Sequence, residues 1–351
     1  MQNLSRTPPV VNKSGISTRR AVYANIEAYF LLPRGFHFDF KMGYLMDKND
    51  AALIEKINEL KKSRNAIILA HNFQPAEIQD VADFVGESLE LCHKAAETDA
   101  DVIVMCSVRF MAETAYLISP KKTVLLPEKN AGCPLSNMIT QQRLRAKKKQ
   151  YPDALVLCYL NTPAPVKAIS DICCTASNAI EIINSIPEDR EIMFVPDQYV
   201  GDWLAGQTGR DLILWPGFCS THIKIRPEDV KSCKEEYPDA VVLAHLESIP
   251  QVKILADAIL STGGIVDYVH ESEAKEFIIA TEVGIVHRLQ KENPDKTIVA
   301  PSERAVCGKM KLISLESVLR SLETMKEQIK LPERTRINAK KAIDKMMEFQ
   351  V

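Results

Sequence analysis

The sequence predicts an α/β fold: three Rossmann-like, three-layer αβα domains with parallel sheets, related by pseudo-threefold symmetry around a central site. Three observations carry this. One passage recurs three times, as "NAIILAHNFQPAEIQDVADFVGESLEL" at 65–91, "YPDALVLCYLNTPAPVKAISDICCTASN" at 151–178 and "YPDAVVLAHLESIPQVKILADAILSTGG" at 237–264. Strand and helix patterns alternate after each copy, which implies parallel sheets with helices on both faces. The repeat is 88 residues from His71 to Tyr159 and 86 from Tyr159 to His245. That is too long for a solenoid unit and suits one small domain per copy.

Each copy opens on an apolar strand, "AIILAH", "LVLCY" or "VVLAH", which closes on His71, Tyr159 or His245. Pro75, Pro163 and Pro250 then mark the first turn of a short helix. Asp83, Asp171 and Asp257 each follow the strand-end residue by twelve positions and are read as structural. A short apolar run comes next. Five residues past each aspartate stand Ser88, Ala176 and Thr262, where another helix should begin, so a hydroxyl there predicts an N-cap. A second strand follows ("DVIVMCS", "EIMFVPD", "EFIIATE"), then a helix, then a third strand ending at Pro127, Pro216 or Pro301. Shortly after each of these prolines comes Cys133, Cys219 or Cys307.

The expected boundaries are 46–135, 136–222 and 223–310 for the three domains, with a helical segment at 311–351. Residues 1–45 hold Glu27 and Asp39 against six basic residues and show no sustained periodicity. They read as an extension outside the core, in preference to a transit-like leader.

Composition excludes several classes. A chain that is 46% hydrophobic can bury a large core and is not disordered. A net charge of −2 argues against a dominant nucleic-acid surface. No apolar run reaches the ~18 residues of a membrane span. Nine cysteines, mostly in apolar runs, do not form the pattern of a secreted disulfide scaffold. The expectation is a cytoplasmic, reducing environment with free thiols.

Ligands bind at the carboxyl ends of strands in open parallel sheets. His71, Tyr159, His245 and the three matched cysteines all fall at that end. Three thiolates converging on one axis would hold a soft metal centre, either an iron–sulfur cluster with one open iron or zinc. Cys92, Cys106, Cys158, Cys173, Cys174 and Cys233 read instead as ordinary buried cysteines. Two residues past the strand ends are Phe73, Asn161 and Glu247; the imidazole and carboxylate of "HLE" can move protons near neutral pH. Helix N-termini at Ser88 and Thr262 can bind phosphate or carboxylate, although capping alone explains each. Met111 reads as core, and the runs "RLRAKKKQ" and "PERTRINAKKAIDK" as solvated helix faces.

At these residues the chain resembles the quinolinate synthase family, in its branch with a single C-terminal cysteine. The resemblance spans about 52–349. It rests on "AHNFQPAEIQDVADFVGESLEL", "VRFMAETA", "PEKNAGCPLSNMI", "YPDALVLCYLNT", "GFCSTH", "HLES", "STGG", "TEVGIVHRL" and "AVCGKMKLISLESV". It implies an enzyme of NAD biosynthesis that condenses iminoaspartate with dihydroxyacetone phosphate to quinolinate. It implies a 4Fe-4S cluster acting as Lewis acid, held by Cys133, Cys219 and Cys307. It implies L-aspartate oxidase or aspartate dehydrogenase as functional partner. His71, Ser88, Tyr159, Asn161, Ser177, His245, Glu247 and Thr262 would contact substrate. Glu247 would lead as general base, with Tyr159, His245 and His71 also catalytic.

The chain departs from the family pattern at four places. Phe73 replaces a usual tyrosine; "TASN" replaces T-S-A-N, so that Ala176 fills the hydroxyl slot and Ser177 lies one place late; Leu246 and Gln198 differ as well. Phe73 and Ala176 motivate one alternative, a cluster-binding homologue with impaired or altered activity; zinc as the rival metal leaves another, a metal-dependent aldolase-like lyase.

Overall fold

The structure is a computed structural model, and it describes residues 48–349. Among these described residues are twelve strands in three four-stranded, all-parallel sheets. The first sheet is ordered β2-β1-β3-β4, from β1 (Ala66–His71), β2 (Phe84–Gly86), β3 (Val102–Cys106) and β4 (Thr123–Leu125). The second is β6-β5-β7-β8, from β5 (Leu155–Tyr159), β6 (Ile172–Cys174), β7 (Ile192–Val195) and β8 (Leu212–Leu214). The third is β10-β9-β11-β12, from β9 (Val241–His245), β10 (Ala258–Leu260), β11 (Glu276–Ala280) and β12 (Thr297–Val299). The identical order in all three sheets reproduces the sequence repeat. Each sheet has one strand more than the three per copy expected: the short apolar run after each aspartate is β2, β6 or β10. Three residues are too few to show a periodicity, and only pairing with the neighbouring strand defines them.

The matched aspartates explain that pairing. Asp83, Asp171 and Asp257 each accept, on Oδ2, the N–H of Ile68, Val156 and Val242 at 2.8 Å in all three copies. The same aspartates donate their own N–H to the carbonyls of Ile68, Val156 and Val242. Each carboxylate thus staples the loop before the edge strand to the first strand. Asp257→Ala removes one staple and leaves a backbone N–H unpaired, so urea unfolding should show a loss of about 1–3 kcal/mol, with the cavity described below unchanged.

Three buried groups cross between copies. Eight residues past each strand end stand Gln79, Lys167 and Lys253. Gln79 donates to the Gly284 carbonyl of the third copy at 2.8 Å. Lys253 of the third copy donates to the Tyr199 carbonyl of the second at 2.6 Å. Lys167 of the second lies 5.4 Å over the Phe110 ring of the first. Lys167 is fully buried, and its ammonium is satisfied by the Leu160 and Thr162 carbonyls, as a buried cation requires.

Helices flank the sheets. The C-terminal segment covers two of them. Helix Leu315–Thr324 packs on helix Lys48–Ser63 and β3, and helix Glu333–Met347 packs on β6 and helix Ala164–Lys167. The hydrophobic core forms three clusters, each centred on one sheet. No helix among the described residues is long and apolar enough to cross a membrane. The expected extension at 1–45 lies outside the described residues.

The capping expectation needs correction. Ser88 and Thr262 are the first residues of their helices (Ser88–Glu97 and Thr262–Glu271), not the caps. The caps are Glu87, in a reciprocal box with Glu90, and Ser261, whose hydroxyl accepts the N–H of Gly264. In the second copy the helix starts later, at Ala179, so Ala176 and Ser177 precede it.

Candidate active site and metal centre

One cavity of about 80 Å³ collects the carboxyl ends of the first strands of all three sheets. Cys133, Cys219 and Cys307 line it, together with His71, Tyr159, Asn161, His245, Glu247, Ser88 and Thr262. Of the residues expected to contact substrate, only Ser177 is not in the lining; its hydroxyl bonds to Glu87 instead. Met111, read as core, lines the cavity as well as packing in the third hydrophobic cluster. The six remaining cysteines lie outside the lining.

The cysteines arrive on loops. Cys133 precedes the short helix Pro134–Asn137. Cys219 follows Gly217, where a Cβ would meet the Pro196 carbonyl at 2.3 Å, so only glycine lets this loop pass the end of β7. Cys307 donates its N–H to Glu282 Oε1 at 2.9 Å, and Glu282 is fully buried and paired with Lys311 at 3.0 Å. Lys311 also donates to the Phe73 carbonyl at 2.6 Å, tying the Cys307 loop to the His71 strand end.

Burial pushes all three thiols up: Cys133 to about 12, with Glu247 and Cys307 adding to it; Cys219 well up, with Glu247 and Cys133 adding; and Cys307 up as well. Cys133 feels the charge of Cys307, and Cys219 that of Cys133. Thiols in this state await a cation that makes the thiolate favourable. The donor set therefore fits a soft metal centre with three protein ligands.

The two histidines share one geometry. His71 Nδ1 accepts the N–H of Phe73 and His245 Nδ1 that of Glu247, each at 3.1 Å. Burial lowers both rings to about 3, so both are neutral at physiological pH. With Nδ1 accepting, the proton sits on Nε2, and each ring can offer it as a donor.

Glu247 sits among donors. Its Oε1 accepts from the Tyr159 hydroxyl at 3.0 Å and the Asn161 amide at 2.8 Å. Burial alone would raise this carboxyl, but the His222 imidazole, then His245 and Cys219, outweigh it and hold the carboxyl at about 2. Burial and the Glu247 charge push the Tyr159 phenol well up, so it stays protonated and donates.

Glu87 joins all three copies. Its carboxylate accepts from Ser177 of the second copy and, at 2.8 Å, from the Gly263 N–H of the third. A Cβ at Gly263 would press on that carboxyl at 3.0 Å. Among the cavity residues left unassigned from sequence are His222 and Glu282. His222 lies three residues past Cys219, where the other copies have Ser136 and Met310, so the repeat gave no signal. Its Nδ1 is 3.1 Å from Glu247 Oε2, its Nε2 2.8 Å from Thr281 Oγ1, and its ring stacks on His245 at 4.5 Å. Glu282 shares its slot in the repeat with Asp197 and Val108, and the Val108 match hid it.

A family model described as quinolinate synthetase A protein matches residues 55–348. A quinolinate synthase of Dehalococcoides mccartyi (strain CBDB1) is 51% identical over 292 residues, covering 83% of this chain and 96% of that protein. The quinolinate synthase of Desulforudis audaxviator is 49% identical over 302 residues, covering 86% and 99%. Quinolinate synthase 2 of Methanosarcina acetivorans is 49% identical over 298 residues, covering 85% and 96%.

Proposed function

Because the chain belongs to the quinolinate synthetase A family, and is an enzyme of the quinolinate synthase kind, we propose that it joins iminoaspartate to dihydroxyacetone phosphate at this cavity. The reaction loses one phosphate and two waters. The observation that carries the reading is the meeting, in one buried cavity, of three thiols from three copies with an ionised Glu247 and two neutral imidazoles.

Cys133, Cys219 and Cys307 would hold a 4Fe-4S cluster. When bound, it supplies Lewis acidity toward substrate oxygens from the iron that has no cysteine. Zinc in the same place is the rival reading, and an aldolase-like lyase would follow from it. The three copies would be three domains closed around a pseudo-threefold axis. Supporting this are the contacts running from first copy to third, third to second and second to first through Gln79, Lys253 and Lys167.

The chain's own residues divide the remaining work. Ring closure forms one carbon–carbon and one carbon–nitrogen bond, so a proton must leave carbon and protons must reach departing oxygens. Glu247, ionised and fixed by Tyr159 and Asn161, accepts the proton from carbon. His71 and His245 donate from Nε2 to substrate oxygens, and the raised Tyr159 phenol stays a donor beside them. Ser88 and Thr262, at the first turns of their helices, receive carboxylate or phosphate, where N–H groups and the positive dipole end favour anions. Ser177 acts one step removed, by holding Glu87. Burial excludes water. The substrate imine would come from aspartate oxidation, by an L-aspartate oxidase or aspartate dehydrogenase, in a reducing cytoplasm.

Anaerobic assay of iron-loaded protein with both substrates tests this. Quinolinate formation is expected; fully loaded protein that makes none would favour a cluster-binding homologue that has lost turnover. Phe73 motivates that second reading. Its ring packs edge-on against His71 at 4.6 Å and is almost wholly buried, with no hydroxyl to relay a proton. Phe73→Tyr is expected to raise kcat by about 10²-fold or more, the range that one positioned proton donor contributes. An unchanged kcat would show that packing alone is what position 73 supplies.

A further inference from the structure

Cys219, His222 and Glu247 form a second donor set that overlaps the three cysteines in one residue only. One ligand atom from each lies within 4.8 Å of the other two. All three line the cavity, and His222 and Glu247 are almost wholly buried. A tetrahedral zinc with bonds of about 2.0–2.3 Å needs its ligand atoms roughly 3.3–3.8 Å apart. The His222 Nδ1 to Glu247 Oε2 separation is already 3.1 Å.

His222 is aimed at the same place. Its Nδ1 is buried, and it lies 3.1 Å from Glu247 Oε2. Its Nε2 is taken by Thr281 Oγ1 at 2.8 Å, the kind of outer contact that fixes the tautomer and aim of a metal-binding imidazole. Nδ1 and Oε2 face each other at 3.1 Å, and either a proton on Nδ1 or a cation in its place can join them. The Tyr159 and Asn161 donors both go to Glu247 Oε1, so Oε2 is the oxygen left for a cation. One thiolate and one carboxylate cancel the charge of a divalent ion. The cavity leaves a fourth position for water, the three-ligand pattern of an open zinc site.

We propose that the cluster-free chain binds one zinc-class cation through Cys219 Sγ, His222 Nδ1 and Glu247 Oε2, and that this form cannot take up the iron–sulfur cluster until the cation is removed. The binding itself stands without the cluster reading; only the exclusion rests on it, because Cys219 cannot serve both. Zinc-loaded protein is thus a stalled form, and cluster assembly is sensitive to zinc.

The test uses the full chain, stripped with chelator under anaerobic reducing conditions and titrated with Co²⁺. One equivalent should bind, with thiolate-to-cobalt absorption in the near ultraviolet and the visible bands of four-coordinate cobalt. Cys219→Ser should abolish the thiolate band. His222→Ala and Glu247→Gln should each weaken binding beyond the ~10–100-fold that loss of an outer partner costs, and Thr281→Val by about that amount. Thr281→Val keeps shape and volume, so it answers even if His222→Ala misfolds. Cys133→Ser and Cys307→Ser should leave cobalt binding within about 3-fold. Equal losses in those two variants would put the ion on the three cysteines and overturn the assignment. So would indifference to His222→Ala and Thr281→Val, or the absence of stoichiometric binding. Separately, zinc-loaded protein given iron and sulfide should develop no cluster absorption until chelator is added. A cluster that forms while zinc is retained would overturn the exclusion and leave the cobalt result standing.

Discussion

Serine at position 133, 219 or 307 should abolish the proposed iron–sulfur cluster, taking iron from the about four per chain that the proposal requires to near zero. The three sulfurs line one cavity, one from each copy of the repeat. Each thiol is raised by burial, and Glu247 adds to Cys133 and Cys219. A thiolate there is favourable only with a cation beside it, so the bound centre and the deprotonated thiols stabilise each other. A serine hydroxyl has no comparable affinity for iron. With only two cysteines left, the centre loses a third of its protein ligands in a buried place. Activity should fall by at least about 10³-fold, because a metal-polarised oxygen is a difference of several kcal/mol in the transition state. Alanine at Cys92, Cys106, Cys158, Cys173, Cys174 or Cys233 serves as the control. Those residues lie outside the cavity, and their loss should cost stability without removing iron. Iron retained by any one of the three serine variants, or lost from a control, would move the ligand set.

How much of this was legible in the sequence depended on repetition. His71, Tyr159 and His245, the three aspartates and the three cysteines recur at fixed intervals, and a feature written three times outweighs chance. Asp83, Asp171 and Asp257 show it most plainly: read as structural from position alone, they make the same hydrogen bond at the same length. What the repeat did not duplicate stayed hidden. His222 has Ser136 and Met310 as its counterparts, and Glu282 has Val108 and Asp197, so neither rose above a single polar residue. The strands β2, β6 and β10 were hidden for a different reason: three residues carry no period, and their strand state is fixed by neighbours far along the chain. The capping expectation failed by one residue because Glu87 was not read as a cap. That carboxylate both caps its own helix and engages the Gly263 N–H, a contact 176 residues away that no local pattern encodes.

Glu247 concentrates the chemistry of the cavity, and Glu247→Gln is the substitution that should separate its charge from its shape. Glutamine keeps the length and an oxygen able to accept from Tyr159 or Asn161, but it cannot accept a proton from carbon. Loss of a positioned base should lower kcat by about 10²–10⁴-fold, while KM changes by less than about 3-fold, because the proposed anchors for the substrate anions lie elsewhere, at the helix N-termini. Stability should fall with it. The wild-type carboxyl is buried, yet it is held at about 2, below its ordinary value, because the His222 imidazole, then His245 and Cys219, outweigh the cost of burial. A carboxylate favoured in this way contributes stability above the ordinary carboxylate range, and a neutral amide forfeits it, so the thermal midpoint at neutral pH should fall. Asn161→Ala is the companion variant. It leaves the base in place and removes one of its two donors on Oε1, so a smaller loss in kcat is expected than for Glu247→Gln. Should Asn161→Ala cost as much as Glu247→Gln, the carboxylate would be an anchor for the amide and not the proton acceptor. A Glu247→Gln enzyme with near wild-type kcat would transfer that role to the imidazoles of His71 and His245.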